Sequence, residues 1–410
     1  MLNPARAEEI AALVRTAAER GRRVKVVGNS HSFTGIAVAE DQRMHLDRMT
    51  CPLVIEGDLV TVPAAMPMST LNALLAQRGL AVPNLGDVDA QTVAGAIATG
   101  THGTGAAHST LASCVAAVTL VTGIGQIIRV DAGSELFPAV RLGLGALGIL
   151  VDVTLRCVDA FLLLADERPM RLADVLAGID DDIAGNDHVE FYWYPYTDRA
   201  QLKRNNVVKA DDQPLGRFRG WLDDEFLANT VLQAACRLGR AVPAVVPAVS
   251  AVAARALTAR TYTGRSDRVF CTPRRVRFIE MEYAVPRAAM PSVLSALPRI
   301  IAGLPFKVQF PVEVRFTGPD DVWLSHSYGR ESAYVAVHQF AGSRYMPYFR
   351  AVEAVCEAVG GRPHWGKMHY RDAESLRRVY PRFDAFLAVR DQLDPARVFT
   401  NPYLNRVLGP

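Results

Sequence analysis

Residues 84–105 read NLGDVDAQTVAGAIATGTHGTG. Gly95, Gly100, Gly103 and Gly105 alternate there with small residues. Glycine reaches positive φ without steric cost and lets a planar group lie against the backbone. Ala90, Ala94, Ala96 and Ala98 favour a helix over 90–98, with Asp89 as its N-cap and Gly100 as its stop. A glycine-rich turn beside a helix end offers backbone N–H groups to an anion. The stretch predicts a phosphate-bearing cofactor held by main chain, or else a tightly packed small-residue loop.

Upstream, Asn3 and Pro4 predict the cap and first turn of a helix whose stripe is Ile10, Leu13, Val14 and Ala17, ended by Gly21. A strand over 23–27 runs into the loop GNSHSF at 28–33. His31 in that loop is a solvated side chain or a ligand contact, and Gly28 permits close backbone approach. Short strands at 52–56 and 59–62 turn at Gly57-Asp58, and a helix follows over 69–77. Downstream, 114–121 and 126–130 read as a hairpin about Gly123-Ile124-Gly125. A helix over 134–142 then leads to GLGALG at 143–148 and a strand over 149–157. GLGALG matches the dinucleotide pattern, which must follow a strand and open a helix. Here it follows a helix and opens a strand, so that reading fails and the region is α+β.

The whole chain has 410 residues, enough for two domains and a large core. A net charge of +3 argues against nucleic acid as a partner. The six cysteines lack metal or redox spacing, which points to reduced thiols in a cytoplasm. The apolar run 241–254 is broken by Pro243 and Pro247 and is too short to span a bilayer, so membrane contact is at most peripheral. The nine histidines are scattered and the carboxylates do not cluster, so no metal site is expected.

Beyond residue 160 longer strands are predicted at 161–167, 188–196, 276–285, 307–317 and 333–340, with helices at 287–301 and 345–359. The segment 200–270 reads as helix and loop, and 373–410 as helices ending in FTNPYL at 399–404. Along 307–316, Val308, Phe310, Val312, Val314 and Phe316 point one way, and Lys307, Gln309, Pro311, Glu313 and Arg315 the other. Glu313 and Arg315 are a clamp for a polyhydroxylated ligand, or a solvated surface ion pair. His338 shares the next strand's face with Tyr334, Ala336 and Phe340. Residues 361–367, GRPHWGK, nearly match a P-loop, but Met368 stands where a Ser or Thr must hold magnesium. Lys367 is one of only five lysines.

Four features together resemble one family: GNSHSF, GDVDAQTVAGAIATGTHGTG at 86–105, the pair PVEVRF (311–316) and HWGK (364–367), and FTNPYL. They resemble the aldonolactone oxidoreductases, the L-gulono- and D-arabinono-1,4-lactone oxidases and dehydrogenases, with alditol oxidases as near relatives. These are vanillyl-alcohol-oxidase-type flavoproteins, and the resemblance covers essentially the whole chain. It implies an α+β, two-domain protein: an FAD-binding domain at 1–158, an antiparallel-sheet substrate cap at 159–370, and a tail at 371–410 returning to the first domain.

The resemblance implies that FAD is held by Gly28, Asn29, Ser30 and Ser32, and by Gly95, Thr99, Gly100, Thr101, His102, Gly103, Thr104 and Gly105. Gly148 and Ile149 belong to the same implied set, and His31 matches the residue joined covalently to the flavin 8α-methyl. Glu313, Arg315 and Lys367 match positions that touch substrate, and His338 matches through its strand context. The implied reaction is oxidation of a lactone C2 hydroxyl to an ascorbate-type product, with oxygen or another electron acceptor. A polyol oxidase, an inactive flavin-binding scaffold and a P-loop nucleotide binder are the alternatives. Two departures stand out. The family usually carries a Trp-containing segment and short strand before the first helix, so an unfinished sheet edge is expected here. Asn29-Ser30 also stands where a smaller pair, often Ser-Gly, is common.

Overall fold

The computed structural model describes residues 1–410 except 50, 52 and 211. Two antiparallel sheets organise it. The smaller runs, in spatial order, Val54–Glu56, Leu59–Pro63, Ile149–Arg156, Val115–Val121 and Ile127–Asp131. Residue 52 of the expected strand 52–56 lies outside the described residues. The first helix, Ala7–Glu19, lays Ile10, Val14 and Ala17 against Val121, Ile149 and Val151. It begins later than the Asn3 cap predicted: Glu9 reaches back to accept from the Ala5 amide at 2.9 Å, and Leu2 instead bridges Met44 in parallel. Val24–Val26 and Gln42–Met44 pair in parallel beside it.

The larger sheet has eight strands in the order Arg260–Arg265, Leu162–Arg171, Arg199–Val208, His188–Trp193, Val312–Thr317, Ser332–Phe340, Phe278–Pro286 and Arg362–Pro363. Two of them lie inside 200–270, a region expected to be helix and loop. One face is covered by helices Leu172–Gly185, Met290–Ala302 and Met346–Ala358, through Val175, Ile179, Leu294 and Val352 packed on Phe191, Val314 and Val335. The predicted strand 307–317 starts only at Val312. Pro311 cannot donate to a ladder, and the Val308 amide donates to the Tyr196 hydroxyl at 2.8 Å.

GLGALG precedes the strand Ile149–Arg156, as the sequence implied, and turns through Leu144 and Gly145 at positive φ. The P-loop pattern is no P-loop. Arg362–Pro363 is an edge strand, and the amides of His364 and Met368 donate to Glu282 and Glu280 instead of opening a helix after Lys367. Beyond it, helices Ala373–Arg377, Phe383–Leu393 and Pro402–Leu408 bring the tail back to the small sheet. The Val24 amide donates to the Val398 carbonyl at 2.8 Å, and Val398 and Phe399 share a core with Ile10 and Val24. Among the described residues no helix is long and apolar enough to cross a membrane.

Candidate active site

The loop 28–34 and the helix Val93–Thr99 line a cavity of about 380 Å³. The helix is capped by Thr92, whose Oγ1 accepts from the Gly95 amide at 3.1 Å, and not by Asp89. Gly100 ends it with φ 74. A Cβ on Gly28 would lie 2.8 Å from Thr92 Oγ1, so only glycine allows loop and cap to meet. Ser30 is held at φ 58, in the left-handed region that favours glycine.

The cavity is lined by the polar residues Asn29, Ser30, Ser32, Gln91 and Thr92. It is also lined by the apolar residues Ile36, Leu120, Val140, Leu147 and Phe399. Gly95, Thr99, Gly148 and Ile149 line it too, as does His31, whose side chain is exposed. This pairing of hydroxyl and amide groups with an apolar, glycine-rich wall fits a cofactor that joins phosphates to a planar ring.

Gly100 to Gly105, expected as backbone anion donors, do not line this cavity. The amides of Gly100, Thr101 and Gly105 already donate to Ile97, Ala96 and Phe316. His102 Nε2 is 3.1 Å from Glu282, Thr104 Oγ1 donates to the Val189 carbonyl, and Gly105 bridges Thr317. This half of the stretch therefore fastens the cofactor layer to the large sheet.

The inner face of that sheet carries the charged side chains. Cross-strand partners bring Glu190 opposite Arg315, Tyr192 opposite Glu313 and Glu280 opposite His338. Glu313 and Arg315 share a face as predicted, but both are buried, at 7% and 6% exposure, which overturns the solvated ion pair. Arg315 contacts Glu313 at 2.5 Å, Glu190 at 2.9 Å and also Asp87. Lys367 Nζ lies 2.5 Å from Glu280 and 2.8 Å from Glu282. His338 Nε2 is 3.3 Å from Glu280, while its buried Nδ1 has no protein partner among the described residues.

The scattered histidines and carboxylates thus converge, contrary to their spacing in the chain. His102, Glu282 and His364, and likewise Glu280, Glu313 and His338, bring ligand atoms within 4.8 Å of one another. Lys367 and Arg315 place positive charge among them. Burial, with Asp87 and Glu190 adding to it against Arg315, raises the Glu313 carboxyl to about 7. Burial also opposes ionisation of Glu282, yet Lys367 and His102 hold it well below the usual carboxylate range. Against its own burial, His338 is pushed up by Glu280 and Glu313.

Cavity and cluster meet at one turn. The Phe33 amide donates to the Gly366 carbonyl at 2.7 Å. A Cβ on Gly366 would sit 3.2 Å from Ser32 Oγ, so the turn that carries Lys367 is pressed against the His31 loop. Asp87, Glu190, Tyr192, Glu280 and Glu282 are the members of the cluster that sequence reasoning passed over. The alternation in FIEMEYAV, 278–285, was the available signal for Glu280 and Glu282.

A family profile of D-arabinono-1,4-lactone oxidase matches residues 153–407, and one of the FAD binding domain matches residues 1–131. An L-gulono-1,4-lactone dehydrogenase of Mycobacterium tuberculosis is 40% identical over 414 residues, covering 100% of this chain and 96% of that protein. The L-gulonolactone oxidase of Bos taurus is 32% identical over 421 residues, covering 98% and 94%. An alditol oxidase of a Streptomyces species is 31% identical over 420 residues, covering 99% and 94%. A cholesterol oxidase from B. sterolicum superposes with a TM-score of 0.83 over 100% of this chain and 93% of that one, at 18% identity, a likeness of fold.

With these matches, the fold is that of an FAD-dependent oxidoreductase. Its cofactor layer and its charged sheet meet at the Phe33–Gly366 hydrogen bond. The chain belongs to the D-arabinono-1,4-lactone oxidase family.

Proposed function

We propose that this protein oxidises a sugar-derived 1,4-lactone at its C2 hydroxyl. The supporting observation is the junction of a cofactor-sized cavity with a buried cluster of two cations and paired carboxylates, through the Phe33–Gly366 hydrogen bond. FAD held by residues 28–32, Gly95, Thr99, Gly148 and Ile149 supplies the hydride acceptor, with His31 as its covalent tether. Residues 1–158 form the cofactor domain, 159–370 the substrate cap, and 371–410 the returning tail.

The protein's own residues handle the proton and the charge. Arg315 and Lys367 stabilise the alkoxide that develops at the substrate oxygen. Glu313 Oε1 is engaged by Arg315 and Tyr192, at 2.5 and 3.1 Å. Its Oε2 faces His338 Nε2 at 4.0 Å and is the oxygen that takes the hydroxyl proton. His338, raised by two carboxylates, orients a substrate hydroxyl through its unpartnered Nδ1. The thiols of Cys114, Cys157, Cys236, Cys271 and Cys356 suit a reducing cytoplasm.

The test is anaerobic mixing of the purified yellow protein with L-gulono- and D-arabinono-1,4-lactone and with open polyols. Bleaching by a lactone supports the reading. Bleaching by polyols alone favours the alditol oxidase that the Streptomyces relative brings to mind. A yellow protein bleached by nothing would leave an inactive flavin binder. Readmitting oxygen, or instead an artificial dye, then identifies the acceptor. Colour that stays with acid-precipitated protein, and washes out in His31→Ala, supports the covalent tether.

A further inference from the structure

Arg315 has one nitrogen to spare. Its Nε donates to Glu190 at 2.9 Å, its Nη2 donates to Asp87, and Nη2 also lies 2.5 Å from Glu313 as an ion pair. A guanidinium carries five N–H donors in one plane. Only the Nη1 pair has no protein acceptor among the described residues.

The two outer carboxylates are themselves held. Asp87 also accepts from Arg274 Nη2 at 2.9 Å, and its carbonyl accepts from the Thr272 amide at 3.1 Å. Glu190 faces Lys203 across the sheet at 3.3 Å, and Arg260 binds the next carboxylate, Glu167, at 2.8 Å. A row of alternating charges across five strands thus ends on Arg315. Asp87 comes from the other layer, in the segment just before the cofactor helix.

We propose that Asp87 and Glu190 are positioning residues, which lock the Arg315 guanidinium so that Nη1 alone is offered to the substrate oxygen. This rests on the placement of Arg315 in the reading above. Carboxylates on the Nε and Nη2 edges hold the guanidinium plane and stop it from turning. A cation fixed before the reaction stabilises new negative charge without reorganising. Without Asp87, Nη2 keeps only its ion pair with Glu313 and the plane can turn. Asp87 also acts on Glu313, which is faced by the anions Asp87, Glu190 and Glu280, the cations Arg315, Lys367 and Arg274, and by Tyr192 and His338. Removing one anion from that set lowers the pH at which Glu313 ionises.

The experiment uses the flavin-loaded protein and its Asp87→Asn and Asp87→Glu variants. In Asp87→Asn, lactone-driven flavin bleaching slows about ten- to a hundredfold with flavin content unchanged. Asp87→Glu restores most of the rate. Infrared titration supplies a readout that needs no turnover. The neutral-carboxyl band missing in Glu313→Gln identifies Glu313, and its midpoint moves to lower pH in Asp87→Asn. Bleaching at the parental rate with the band in place would overturn the proposal. Loss of flavin in both variants overturns it too, by assigning Asp87 to cofactor retention. A parental protein that no lactone bleaches defeats the lactone reading instead, and the infrared midpoint still decides the role of Asp87.

Discussion

Glu313 is surrounded by Arg315, Tyr192 and His338, and its carboxyl keeps its proton to about pH 7 against an ordinary 4.5. Between those values the unfolded chain releases the proton while the folded chain retains it. This group's contribution to stability therefore falls as pH rises from 4.5 to 7. In Glu313→Gln that fall is absent, so the variant's Tm should gain on the parent's from pH 5 to pH 7 while lactone turnover disappears; differential scanning calorimetry checks the first. In the parent, kcat/KM should drop by one proton's slope below about pH 7. The i, i+2 pair Glu313 and Arg315 was legible from alternation alone. Its burial was not, because what covers that face comes from elsewhere in the chain. Asp87 sits in a loop and Glu190 on another strand, and only pairing reveals that both close on Arg315.

Elements were predicted in kind more accurately than in extent. The helix expected over 90–98 is Val93–Thr99, because Thr92 and not Asp89 supplies the capping oxygen. The hairpin about Gly123-Ile124-Gly125 formed where turn chemistry put it, as Val115–Val121 and Ile127–Asp131. The terminal FTNPYL holds a device that spacing alone did not disclose. Asn401 Oδ1 caps its own helix at the Leu404 amide, and its Nδ2 donates to the carbonyls of Gly35, Ile36 and Val38. Ile36 and Val38 line the cavity. Asn401→Ala should cost about 2–4 kcal/mol, one part for the lost cap and the rest for stranded carbonyls. Chemical denaturation measures that loss, and the ratio of flavin to protein absorbance should fall with it.

At the scale of the molecule, the large sheet places strands beside partners far away in the chain, with Val312–Thr317 between His188–Trp193 and Ser332–Phe340. No local pattern encodes such an order, and the segment 200–270 hid two of its strands for that reason. The return of the tail to the first domain was implied by resemblance alone. Lys25, buried beside the cavity, donates to the carbonyls of Gly145 and Phe399 at 3.0 and 3.1 Å, so the ends of the chain close one wall together. Burial lowers Lys25 to about 7. Above that pH the unfolded chain binds its proton more tightly than the folded one, so stability gains with pH. The parent should therefore become more stable from pH 7 to pH 9 relative to Lys25→Met, measured as a difference in Tm. Deleting 398–410 should give a protein that elutes without flavin.

The hydrogen bond from Val24 to Val398 has a consequence in time. A ribosome makes residue 24 long before residue 398. The small sheet, the cofactor helix and the His31 loop can all emerge and begin to fold while one wall of their cavity does not yet exist. A nascent chain can therefore hold no finished cofactor pocket until synthesis has passed Phe399.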